Sequence, residues 1–156
     1  MEDCTWMKVL FLDESGDACA IRKDEHLARC GVAALDPYML SFDVLVEQFC
    51  FNIGDKPEAG VIVAEKRGPP LDLELDVAWL NLKVKGTRHL SAQRIAHTIV
   101  GVTTRTKRDR LAGLQLADLV VSPIGRHVLG RTPREDFRII EQKLRRHRGA
   151  IWARDL

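Results

Sequence analysis

"GVIVAEKRG", residues 60–68, is the stretch on which the fold turns. Val61, Ile62 and Val63 are consecutive β-branched residues with no polar residue among them. Such a run predicts a strand in the middle of a sheet, apolar on both faces. The run ends at Glu65, followed by Arg67 and Gly68, so a carboxylate stands at the strand's carboxyl tip.

On the amino-terminal side of this strand, Asp36 can cap a helix and Pro37 suits its first position. Tyr38, Phe42, Leu45, Val46, Phe49 and Ile53 then recur at helical spacing until Gly54. On the carboxyl side, Leu71, Leu75, Ala78, Trp79 and Leu82 keep a helical period from Pro70 to Lys85, and Gly86 can end it. Met7–Leu12 predicts a second short, buried strand, bounded by the polar run "DESGD". Between residues 18 and 35 the pattern is ambiguous, with "RCGVAAL" as a candidate strand. Ser91 can cap a short helix through Ile99, and Thr103 to Arg110 reads as a polar, basic loop. "AGLQLADLVVSPIGRHVL" predicts a helix kinked at Pro123. A basic helix over about residues 134–146 closes the chain.

Strands alternating with helices predict an α/β or mixed α+β fold, a central sheet with helices packed on it. With 156 residues and no linker or repeat, the expectation is a single domain over residues 1–156. The composition, 46% hydrophobic and 29% charged, is that of an ordinary soluble globular protein. No apolar run approaches the roughly 20 residues of a membrane span, and the first residues lack a secretory-leader pattern. A cytoplasmic protein with no membrane partner is therefore expected. Its four cysteines, Cys4, Cys19, Cys30 and Cys50, are irregularly spaced and read as free thiols. Cys19, His26 and Cys30 match no common zinc spacing.

Charge is unevenly distributed. Residues 1–100 carry 11 Lys/Arg against 16 Asp/Glu, net −5, whereas residues 101–156 carry 13 against 6, net +7. An acidic half suited to a metal and a basic half suited to phosphate fit a nucleic-acid partner. The competing reading is a solvated, arginine-rich carboxyl-terminal region. Aromatic residues make up only 6% of the chain, which argues against reading single strands by base stacking.

Three acids lie at the ends of predicted rigid elements or on a late helix. Asp13 closes the first strand, with Glu14 and Asp17 close behind. Glu65 closes the central strand. Asp118 lies three residues after Gln115 and four before Ser122, which places the three polar residues on one helical face. Leu116, Leu119 and Val120 are then expected to turn toward the core. Converging carboxylates repel one another by several kcal/mol in a low-dielectric site, and a hard divalent cation removes that cost. Magnesium or manganese held by Asp13, Glu65 and Asp118, with Glu14, Asp17 and Gln115 assisting, could activate water against a phosphodiester. Arg67 could contact the scissile phosphate. Lys107 and Arg108, with Arg105 and Arg110, could steer a polyanion inward. Each segment also has a plainer reading: turn-forming acids in "DESGD", a surface ion pair between Glu65 and Arg67, and a solvated basic loop.

"FLDESGD", "GVIVAEKRG" and "GLQLADLVVSPIGRHVLG", in that order, resemble the family labelled domain of unknown function 3800. The resemblance runs from about residue 7 to about residue 146 and is most specific in "GLQLADL". That family occurs in bacteria, phages and mobile elements. The resemblance implies a ribonuclease H-like fold and a metal-dependent nuclease, with a first-strand acid at Asp13, a second at Glu65 and a late-helix acid at Asp118. Only 47 residues separate Asp17 from Glu65, fewer than the family's pattern of further strands and helices there. The expectation is thus a compact or truncated version. It could be an active hydrolase of DNA, RNA or a smaller phosphate ester. It could also be a degenerate module that binds nucleic acid or protein without turnover. A shortened sheet leaves an edge through which a homodimer could form.

Overall fold

The computed structural model describes residues 7–12, 37–132, 134–144, 146–147 and 150–151. Among the described residues three parallel strands form the centre: β1 (Lys8–Leu12), β2 (Gly60–Glu65) and β3 (Ile99–Arg105), in the spatial order β1-β2-β3. Parallel neighbours require crossovers. Helix α1 (Pro37–Ile53) lies in the first crossover; α2 (Pro69–Lys85) and α3 (Ala92–Thr98) make the second. Beyond β3 come a short 3-10 turn (Lys107–Asp109), α4 (Ala112–Val128) and α5 (Glu135–Glu141). A two-residue antiparallel pair, β4 (Arg146–His147) and β5 (Ala150–Ile151), follows. The architecture is mixed α/β, as the alternating elements predict.

Register decides which side chains face which layer. Leu10 pairs with Ile62 and Leu12 with Ala64, while Ile62 pairs in turn with Val102. These residues belong to one core with Phe42, Val46, Phe49, Cys50 and Ile53 of α1, Leu75, Ala78 and Leu82 of α2, and Ile95 of α3. Ile62, Ala78, Val46 and Ile95 are fully shielded from solvent. Phe11, one position out of phase, points to the opposite face, where Gly113 of α4 lies against its ring. Helices α1 to α3 therefore cover one face, and α4 meets the other.

Local chemistry sets the element ends. Gly54 terminates α1 with φ +78°, its N–H donating to the Cys50 carbonyl at 3.0 Å. Gly60 lets α1 close onto β2, since a Cβ there would lie 2.5 Å from Ile53 Cδ1. Pro69 and Pro70 open α2, and Gly86 closes it. Ser91 caps α3 as expected, its hydroxyl accepting from the Arg94 N–H at 3.2 Å. Buried Glu47 ties α1 to the loop before α3, accepting from the Thr87 hydroxyl and the His89 N–H.

Three expectations need correction. Residues 99–105 form β3, so the predicted basic loop shrinks to Thr106–Arg110, tightened by a capping box between Thr106 and Asp109. The final helix stops at Glu141 rather than running to residue 146. Leu116 and Leu119 do not turn toward the core; they are 61% and 69% exposed, whereas Leu114 is buried. Packing Gly113 over Phe11 rotates α4 so that its Leu114 side meets the sheet. The candidate second strand in residues 18–35 lies outside the described residues. Among the described residues no helix is long and apolar enough to cross a membrane.

Candidate functional site

Parallel strands bring their carboxyl ends to one edge of the sheet, and ligands of open α/β sheets bind just beyond that edge. Here the edge carries Leu12, Glu65 and Arg105. Leu12 pairs with Ala64, and Glu65 with Arg105. A cleft opens between this edge and the first turns of α2, lined by Leu12, Glu65, Arg67, Leu71, Asp72 and Leu75 among others.

Glu65 is held at the tip of β2 with its side chain only 13% exposed, and its Oε1 lies 3.2 Å from Lys107 Nζ. Lys107 belongs to the 3-10 turn after β3, so one ion pair joins the ends of the central and third strands. The backbone continues that join, with the Lys66 N–H donating to the Arg105 carbonyl at 2.8 Å.

Asp72, in the first turn of α2, accepts from the Arg67 N–H through Oδ1 at 2.9 Å. This bond folds the Lys66–Gly68 turn back onto the helix start, where the dipole favours negative charge. The second oxygen, Oδ2, is buried without a hydrogen-bond partner. An orphaned carboxylate oxygen is costly unless something positive or hydrogen-bonding reaches it. The cleft thus offers two hard oxygen donors, Glu65 and Asp72. Magnesium fits such a donor set, since it keeps several waters and needs only one or two carboxylates.

Asp13 and Glu14 lie outside the described residues; in the sequence Asp13 follows Leu12, the last residue of β1. Gln115 and Asp118 are exposed on α4, and among the described residues none from α4 lines this cleft. Ser122, expected on the same polar face, is half-buried. Among the described residues, no three His, Cys, Asp or Glu side chains gather as a metal-holding group. Arg67 lines the cleft, half-buried; Arg108 is exposed on the neighbouring turn. The sequence reading passed over Asp72. Its signal is modest, an acid in the first turn after Gly-Pro-Pro, seven residues beyond the strand-tip acid.

Comparison of the chain with family models, with curated proteins and with solved structures finds no match.

Proposed function

We propose that this chain is a divalent-metal-dependent phosphodiester hydrolase acting on nucleic acid in the cytoplasm, in a ribonuclease H-like fold related to the domain of unknown function 3800 family. The observation that carries the reading is Glu65. It is an almost fully enclosed carboxylate at the carboxyl tip of the central parallel strand, facing a cleft that it shares with Asp72. Two further features support it. The strand beside it ends at Leu12, directly before Asp13 in the sequence, and a turn bearing Lys107 and Arg108 adjoins the cleft.

Magnesium or manganese, when bound, would supply an activated water and charge for the leaving oxygen. Glu65 and Asp72 would hold the ion together with Asp13, and Asp118 is proposed to approach when the polyanion is bound. Lys107, 73% exposed and paired with Glu65 at 3.2 Å, would exchange that carboxylate for phosphate when a cation takes its place on Glu65. Arg67 would orient the scissile phosphate.

The test pairs manganese binding by calorimetry with cleavage of a DNA and RNA panel in magnesium. Glu65→Gln and Asp13→Asn should each abolish both, and Asp118→Asn should abolish cleavage. Cleavage that survives Glu65→Gln would refute the reading. The Glu65–Lys107 ion pair favours a second reading, a binding module whose acid is already satisfied. Salt-sensitive nucleic-acid binding with no cleavage and no manganese heat would select it.

A further inference from the structure

Helix α2 is apolar on two faces, and the described fold uses only one of them. Leu75, Ala78 and Leu82 are buried in the core. On the outward side Leu73, Val77, Leu80 and Val84 are 62%, 46%, 59% and 75% exposed. Their spacing of four, three and four is the seam of a helix that packs against another helix. Exposed apolar residues scattered singly need no explanation, but a continuous stripe along a whole helix does.

We infer that this stripe is the two-fold interface between two copies of the chain, with their α2 helices paired antiparallel. The flanking charges select both the occupant and the direction. With Val77 and Val84 at one seam position and Leu73 and Leu80 at the other, Asp76 and Lys83 occupy the same flank, one heptad apart. In an antiparallel pair like flanks face each other. Val77 then meets Leu80 of the second copy, Leu73 meets Val84, and Asp76 comes beside Lys83. Symmetry makes each contact twice. On the other flank Glu74 comes beside Asn81, a carboxylate next to an amide donor. A parallel pair puts Asp76 near Asn81 and leaves Lys83 without an acid. Because the stripe runs from Leu73 to Val84, the seam is about 17 Å long. That is small for a specific interface, so dissociation in the micromolar range is expected.

The experiment is sedimentation velocity of the full chain from about 1 to 100 μM, with far-UV circular dichroism as a control for folding. Wild type should shift from monomer to dimer across that range, and Leu80→Glu should stay monomeric with an unchanged spectrum. Asp76→Lys and Lys83→Asp should each weaken association about tenfold, because each converts two attractions into two repulsions. The double exchange should restore it, since the pairs re-form with signs reversed. A wild-type monomer at every concentration, a Leu80→Glu dimer as tight as wild type, or a double exchange no tighter than the singles would each overturn the inference.

Discussion

Replacing Gly113 by alanine tests how α4 sits on the sheet. A Cβ at Gly113 would overlap one edge of the Phe11 ring, too close to three of its atoms for any real contact. Gly113 is the second residue of α4, where alanine is worth at most about 1 kcal/mol more than glycine. Forcing a methyl group into a packed contact costs roughly 1–3 kcal/mol, and with three ring atoms in the way the upper end applies. The net expectation is a loss of about 2 kcal/mol despite the better helix former. Removing the obstacle should reverse the sign. In a Phe11→Ala background only the propensity remains, so Gly113→Ala should stabilise by up to about 1 kcal/mol. The coupling between the two sites is then about 3 kcal/mol, the upper end of what touching residues show. Urea titration followed by circular dichroism reads both effects. With a slope of about 2 kcal/mol/M, the midpoint should fall by about 1 M in one background and rise by up to about 0.5 M in the other. Equal effects in both backgrounds would show that Gly113 and Phe11 do not meet. The placement of α4, and of Asp118 on it, would then be wrong.

Two more predictions concern groups on α1. Burial, and secondarily the charge of Glu47, holds the Asp43 carboxyl above its ordinary value. A raised carboxyl is most compatible with the fold when protonated. Its contribution is full below the unfolded value near 4 and lost as pH rises through the folded one. Asp43→Asn should therefore raise the melting temperature by about 1–3 °C at pH 7, with the gain vanishing below pH 4 in the same fluorimetric scan; an equal gain at both pH values contradicts the assignment. Cys50 is 1% exposed, and burial pushes its thiol up to about 11. In a variant with Cys4, Cys19 and Cys30 changed to serine, Cys50 should resist a disulfide reagent at pH 8. Urea should accelerate labelling toward the unfolding rate, and prompt labelling in buffer contradicts the burial.

A good part of this molecule can be read from its residues alone. Glu65 is legible as a strand-tip acid because three consecutive β-branched residues leave little choice of conformation before it. The bounds of α1 and α2 follow from Pro and Gly positions, since these residues fix or free the backbone without help from neighbours. Strand β3 is harder to see. Thr98 passes directly into Ile99, the cap residue of α3 and the first residue of the strand, with no breaker between them. Its Gly101 interrupts the apolar run, and only pairing with β2 makes that segment extended.

Tertiary structure alone decided the rest. Helix α2 has apolar residues at two sets of helical positions; burial falls on Leu75, Ala78 and Leu82, members of the set read from the sequence, and leaves Leu73, Val77, Leu80 and Val84 outward, a second stripe the periodicity does not single out. The rotation of α4, with Leu116 and Leu119 outward, depends on where Gly113 meets the Phe11 ring. Asp72 matters because the chain after Glu65 folds back, placing one carboxylate oxygen on the Arg67 N–H and burying the other. Propensity and periodicity act over a few residues and are written along the chain. Which faces meet, and which polar atoms lose water, depends on contacts between residues far apart in sequence.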